Sequence, residues 1–237
     1  MKTKHHFLLL LLAVLGLSLT ACDPSLRGRG DLETEVRNVK NFHAIEVDVN
    51  GDVDVRVDSV FKVEVTCEEN IIAYLETVED NGVLKIYFDR DVYDVDKLRI
   101  RVSAPFWNAF EVNGSADVDV PDAIVGDKLD MGISGSGNIK IFNANFDNIK
   151  SRISGSGNVT VIGSADDLHC TISGSGDFDG IDCPVKTATI TISGSGDARV
   201  NVSESLNATI SGSGDIQYEG NPAVTANVSG SGSVKKI

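Results

Sequence analysis

The sequence predicts an all-β chain, most of it a right-handed parallel β-helix, or β-solenoid, with rungs of about 18–21 residues. Two observations carry this. A glycine-rich corner recurs as Asn113-Gly114-Ser115-Ala116-Asp117, Ser-Gly-Ser-Gly-Asn at 134–138 and 154–158, Ser-Gly-Ser-Gly-Asp at 173–177, 193–197 and 211–215, and Ser-Gly-Ser-Gly-Ser at 229–233, with steps of 21, 20, 19, 20, 18 and 18 residues. Apolar residues also alternate on both sides of each corner, the period of a strand with one buried face. No window in 111–237 shows a convincing helical period.

The first element is an export signal. Lys2 and Lys4 precede an apolar run from Phe7 to Leu19, and Leu19-Thr20-Ala21-Cys22 closes it. The run is short for a transmembrane helix, which needs about 20 apolar residues. Leu-Thr-Ala-Cys resembles the bacterial lipobox, which implies a signal peptide over 1–21 and lipidation of Cys22; two or three acyl chains hold a protein on a membrane almost permanently. Residues 22–35 are polar at first and are expected to form a flexible tether.

Residues 36–105 are strand-rich and less regular. Phe42 to Val49 alternates, Asn50-Gly51-Asp52-Val53 echoes the later corners, and Val60 to Val65 alternates again. Asn70 to Glu79 fits a strand and turn or a short helix. Asn81-Gly82 predicts a tight turn before Val83 to Phe88, and Leu98 to Val102 is a further strand. The segment is expected to be either a small antiparallel cap or longer rungs of the same coil.

From 106 to 237 the repeat dominates. The inward ladders are Leu129, Met131, Ile133; Ile149, Ser151, Ile153; Leu168, Cys170, Ile172; and their equivalents through Val224, Ala226, Val228. A second alternating pair follows each corner, as in Ile139 and Ile141 or Val159 and Val161. A looser third segment, such as Phe142 to Phe146, completes the rung. Stacking puts Ile133, Ile153, Ile172, Ile192, Ile210 and Val228 in one column. The corner glycines are expected to supply positive φ angles and close backbone approach.

Phe42-x-x-Ile45 with Asn50-Gly51-Asp52-Val53, Cys67-Glu68-Glu69-Asn70 before Gly82-x-Leu84-x-Ile86, and the Ser-Gly-Ser-Gly-Asp/Asn ladder together resemble the putative auto-transporter adhesin head GIN domain family, over roughly 40–235. The resemblance implies a β-helical, exported, often lipid-anchored bacterial protein and brings no catalytic residues.

Composition narrows the function. Loss of Lys2 and Lys4 with the signal leaves 19 basic against 35 acidic residues, a net charge of −16. Such a chain is repelled by nucleic acid, and no basic patch or aromatic platform offsets this. Beyond Cys22 there are Cys67, Cys170 and Cys183; their spacing matches no zinc pattern, and the sequence leaves open whether Cys170 and Cys183 pair. Lys140, Lys150, Arg152, Lys186 and Arg199 form no cluster by repeat position, and His169 points outward as a surface residue. No nucleophile elbow or phosphate loop is present.

The candidate site is the residue after each corner. Asp177, Asp197 and Asp215 fall in one column about 5 Å apart, where like charges are costly unless hydrogen-bonded or bridged by a cation. Two readings follow: the side chains accept corner N–H groups, or they hold Ca2+. Asn138, Asn158 and Ser233 at equivalent places favour the first. The function expected is a noncatalytic, lipid-anchored protein of the bacterial cell envelope, at the outer membrane or periplasmic face, binding a glycan or cell-surface protein. The alternatives are a carbohydrate-active β-helix enzyme and a purely structural spacer.

Overall fold

The computed structural model describes residues 26–237; the signal segment and Cys22 lie outside them. Among the described residues the chain is all-β apart from one short 3-10 turn, Ile72–Tyr74, and seventeen strands join in a single continuous ladder. The β-solenoid is therefore as the periodicity predicts. The strands Asn138–Ile153, Val159–Ile172, Phe178–Ile192 and Ala198–Ile210 stack in parallel, each running from one corner to the next.

The inward ladder pairs in register as Ile133, Ile153, Ile172, Ile192, Ile210 and Val228. The five isoleucines are buried, whereas Val228, on the last rung, is 41% exposed. No rung covers its own apolar side; the burial comes from the next one. The third segment is more ordered than its sequence suggests. Phe142 to Phe146 lies within the strand Asn138–Ile153, with Ala144 and Phe146 turned into the core. Its irregularity appears only as a register shift between Ile141 and Ala144, because an odd number of residues must be absorbed where the chain turns.

Corner glycines are not where positive φ occurs. The described glycines with left-handed backbone are Gly30, Gly82, Gly163 and Gly220. The corners instead need glycine for contact between rungs. A Cβ on Gly155 would lie 1.8 Å from the carbonyl oxygen of Gly135, and one on Gly174 would lie 1.9 Å from that of Gly155. Ser156 and Ser175 donate their backbone N–H to those same two oxygens at 3.0 Å. The hydrogen-bond ladder thus continues around the bend without a side chain between levels.

Residues 36–105 combine both expected forms. Ala44–Asp48 and Asp52–Val57 make one rung, which is stacked in parallel between Val83–Phe88 with Arg99–Ala104 on one side and Ala109–Val112 with Asp117–Val120 on the other. Stack order therefore differs from chain order. Leu32–Arg37 and Lys62–Glu68 pair antiparallel with each other, Lys62–Glu68 pairs antiparallel with Arg99–Ala104, and Leu75–Asp80 returns on Val83–Phe88. Asn81 and Gly82 both have positive φ, as the tight turn requires. Phe42, Phe61, Trp107 and Phe110 fill this end of the core, and the Trp107 indole donates to the Arg56 carbonyl at 2.8 Å. The polar 22–35 stretch is not a free tether from Leu26 onward: Leu26–Arg27 pairs with Val92–Tyr93, and Leu32–Arg37 is a strand.

Gly174→Ala is expected to destabilise the fold by about 1–3 kcal/mol, the cost of overpacking a site that cannot yield. Ser175→Ala, one residue along, should change stability by less than about 0.5 kcal/mol. Denaturant unfolding of the two variants checks this; equal stabilities would mean that rung contact does not select the glycine.

Candidate binding face

The residues after the corners form a hydrogen-bonded side-chain ladder. Oδ1 of Asp117, Asn138, Asn158, Asp177, Asp197 and Asp215 each accepts the backbone N–H of the equivalent residue one rung further on, at 2.7–3.2 Å. Asn138 and Asn158 also donate their amide nitrogens along the column, and Ser233 donates its hydroxyl to Asp215 at 2.7 Å. Asp177, Asp197 and Asp215 thus stand together as the repeat predicts, each charge opposite a backbone donor. Among the described residues no group of three or more His, Cys, Asp or Glu side chains is disposed to hold a metal ion. Ser233 donates two hydrogen bonds that hold the Asp215 carboxyl below the usual carboxylate range.

The cysteines serve packing. Cys67, Cys170 and Cys183 are free and buried, and burial pushes their thiols up to about 12, 12 and 11. Such thiols are poor nucleophiles and poor metal ligands at neutral pH.

The outer side of the strands leading into the corners is a different surface. Two outward columns run along it. One pairs Arg152, Thr171, Thr191, Thr209 and Asn227, and the other pairs Lys150, His169, Thr189, Asn207 and Thr225. The Thr and Asn side chains of these columns make no hydrogen bond among the described residues. Where Glu111, Gly132 and Arg152 occupy successive rungs of the first column, the missing side chain of Gly132 makes room for the Glu111 carboxylate, and a notch opens beside it. Glu111 leans across Gly132: a Cβ there would lie 1.9 Å from Glu111 Oε2. The depression here, about 380 Å³, is lined by Glu111, Lys150, Arg152 and His169 with serines and Thr171. Burial, opposed by Arg152, raises the Glu111 carboxyl above its ordinary value.

The structure therefore brings Lys150, Arg152 and His169 together, although their repeat positions alone show no cluster. The only trace of this in the sequence is Gly132 itself, a gap in an otherwise filled outward column. Two further depressions, about 410 and 510 Å³, lie at the other end between Asn50 and the 91–98 loop. The buried Glu68 pins that loop by accepting the Asp96 N–H at 2.9 Å.

The family model described as "Putative auto-transporter adhesin, head GIN domain" matches residues 41–222. The chain belongs to this family. Solved structures agree with the assignment. A putative adhesin from Bacteroides fragilis superposes with a TM-score of 0.85 at 23% identity, covering 90% of this chain and 100% of its own. A putative adhesin from Parabacteroides distasonis gives 0.74 at 26%, with coverage of 90% and 100%. A putative lipid binding protein from the same species gives 0.77 at 24%, with coverage of 90% and 99%. Among curated proteins none matches. The head GIN domain family is one of adhesin-like proteins, which indicates a cell-envelope or surface protein.

Two outcomes test the side-chain ladder. Asp177→Asn combined with Asp197→Asn keeps both acceptors and should leave the melting temperature unchanged, or raise it, with and without calcium. A calcium-dependent rise confined to the native protein would show instead that the column holds a cation. Because the Asp215 carboxyl is depressed in the folded state, its contribution is full above the unfolded value near 4 and is lost as pH falls through the lower folded value. The advantage of the native protein over Asp215→Ala should therefore shrink as pH falls below about 4; an advantage that does not change with falling pH would contradict the assignment.

Proposed function

We propose that this head GIN domain protein is a noncatalytic, lipid-anchored component of the bacterial cell envelope whose ladder face binds a glycan or a surface partner. The observation that supports binding most directly is the set of outward Thr and Asn side chains: they repeat at the rung spacing of about 4.8 Å, and among the described residues none makes a side-chain hydrogen bond. Evenly spaced hydroxyls and amides suit a ligand that itself presents repeated hydroxyls. A noncatalytic role is supported by thiols raised by burial and by a solvent-exposed His169 that lacks a partner among the described residues.

Anchoring rests on Leu19-Thr20-Ala21-Cys22, which lies outside the described residues. Among the described residues the first pairing is that of Leu26–Arg27 with Val92–Tyr93, in the strand-rich N-terminal part that also carries the antiparallel strands. The four residues from Cys22 to Leu26 reach at most about 14 Å, so an acylated Cys22 would hold that end against the membrane and direct the later rungs outward. The lipid is then part of the geometry of presentation as well as a means of retention.

Cys22→Ser should move the protein from the membrane fraction to the soluble fraction and abolish incorporation of labelled palmitate. Retention of label in that variant would remove the anchor from the proposal. For the face, the purified mature protein should bind members of a glycan array without shortening them. Depolymerisation would replace the binding role with an enzymatic one.

A further inference from the structure

The notch beside Glu111 and Arg152 gathers three basic side chains, Lys150, Arg152 and His169, on an otherwise acidic surface. Several other cations on the sheets are paired closely: Lys62 with Glu64 at 2.8 Å, Arg56 with Asp54 at 2.8 Å, Lys186 with Asp166 at 2.7 Å and Arg199 with Asp179 at 3.0 Å. Around the notch the pairing is looser. Arg152 approaches Asp130 only to 3.6 Å and Glu111 only to 4.0 Å, and Asp130 is already held by Lys128 at 2.8 Å. Among the described residues Arg152, Glu111, Lys150 and His169 make no hydrogen bond, and Lys150 and His169 make no ion pair either. Four polar side chains thus border one depression without a hydrogen bond among them, and a few convergent polar groups in a concavity are the usual arrangement of a ligand site.

Chemistry identifies the ligand class. The Arg152 guanidinium is a planar fork that matches a carboxylate in two parallel hydrogen bonds. Lys150, one strand position behind it on the same face, adds a second positive charge. Glu111 is acceptor-only when ionised and takes neighbouring hydroxyls, as do Thr171 and the corner serines. A volume of about 380 Å³ accommodates one or two sugar rings. The wider surface repels polyanions, since the mature chain carries a charge of −16. That combination selects a single acidic sugar on an otherwise neutral chain over a continuous acidic polymer.

We infer that the notch bordered by Glu111, Lys150, Arg152 and His169 is a specific site for a carboxylate-bearing sugar residue, with the carboxylate on Arg152 and ring hydroxyls on Glu111 and Thr171. The inference rests on the glycan-binding reading of the ladder face and names the residue that the face selects. From the notch, the Thr and Asn columns continue along the stack as a path for the uncharged sugars that follow.

The test uses the mature protein and three short oligosaccharides of matched length: one with a single terminal uronic acid, its carboxyl-reduced neutral counterpart, and a fully uronic oligomer. Calorimetric titration should show binding of the first, binding at least about tenfold weaker for the second, and no gain for the third. Arg152→Ala should weaken binding of the first about tenfold or more, the loss expected of a charge-assisted pair. Gly132→Val, which pushes the Glu111 carboxylate off its place over residue 132, should also weaken binding with the circular dichroism spectrum unchanged. Arg199→Ala, on a different side of the coil, should have no effect. Equal binding of the acidic and neutral sugars, or acidic-sugar binding indifferent to Arg152→Ala, overturns the notch while leaving the glycan-binding face in place. Failure of all three sugars, together with a blank glycan array, overturns both.

Discussion

Contact between backbones at the corners is the constraint on which the rest of this structure depends. Successive rungs of a parallel coil are separated by about 4.8 Å, and a bend that keeps this spacing has no room for a side chain directed at its neighbour. At Gly135, Gly155 and Gly174 a single Cβ would fall within 1.9 Å of a carbonyl oxygen. Those carbonyls must stay available, because each accepts a serine N–H from the next level. The glycines therefore keep the hydrogen-bond ladder continuous through the turn. Continuity in turn fixes the register that aligns Ile133, Ile153, Ile172, Ile192 and Ile210.

The same spacing explains the aspartates. A like-charged column at rung separation would oppose stacking if each carboxylate faced the next. Here each Oδ1 is turned to the backbone N–H one rung on, so the column is built from alternating acceptors and donors. Asn does the same work at 138 and 158, and Ser233 closes the series with its hydroxyl. Asp and Asn alternate at this repeat position because both accept the next N–H, and Ser233, last in the series, donates to Asp215.

Much of this was legible in the sequence because a repeat multiplies each local signal. One Ser-Gly-Ser-Gly corner says little, but several at a steady spacing define the rung, and the flanking Ile and Val define its inside. Three things escaped. The angle at which a corner glycine sits depends on the rung beneath it, so φ could not be inferred from composition. The rung Ala44–Asp48 with Asp52–Val57 is inserted between later strands, and nothing local records stack order. Glu111 and Arg152 meet across an intervening rung, a relation that appears only when the columns are superposed and Gly132 is seen as an omission.

That omission connects architecture to recognition. In a solenoid every rung repeats the same contacts, so a face that obeyed the repeat throughout would present the same chemistry at every level and could not distinguish one place along a ligand from another. Specificity requires a break. The outward column keeps threonine at 171, 191 and 209, where identical rungs give an even surface. It changes to Glu111, Gly132 and Arg152 where the regular coil meets the strand-rich N-terminal part. The missing side chain at Gly132 lets the Glu111 carboxylate lie over the backbone beside the depression without disturbing the buried Met131 and Ile133 on either side of it. The regular rungs supply rigidity and hydroxyls, and the irregular one supplies charge. A chain that is acidic as a whole can in this way hold a local cationic fork at a single level of its surface, set by the registers that the corner glycines maintain.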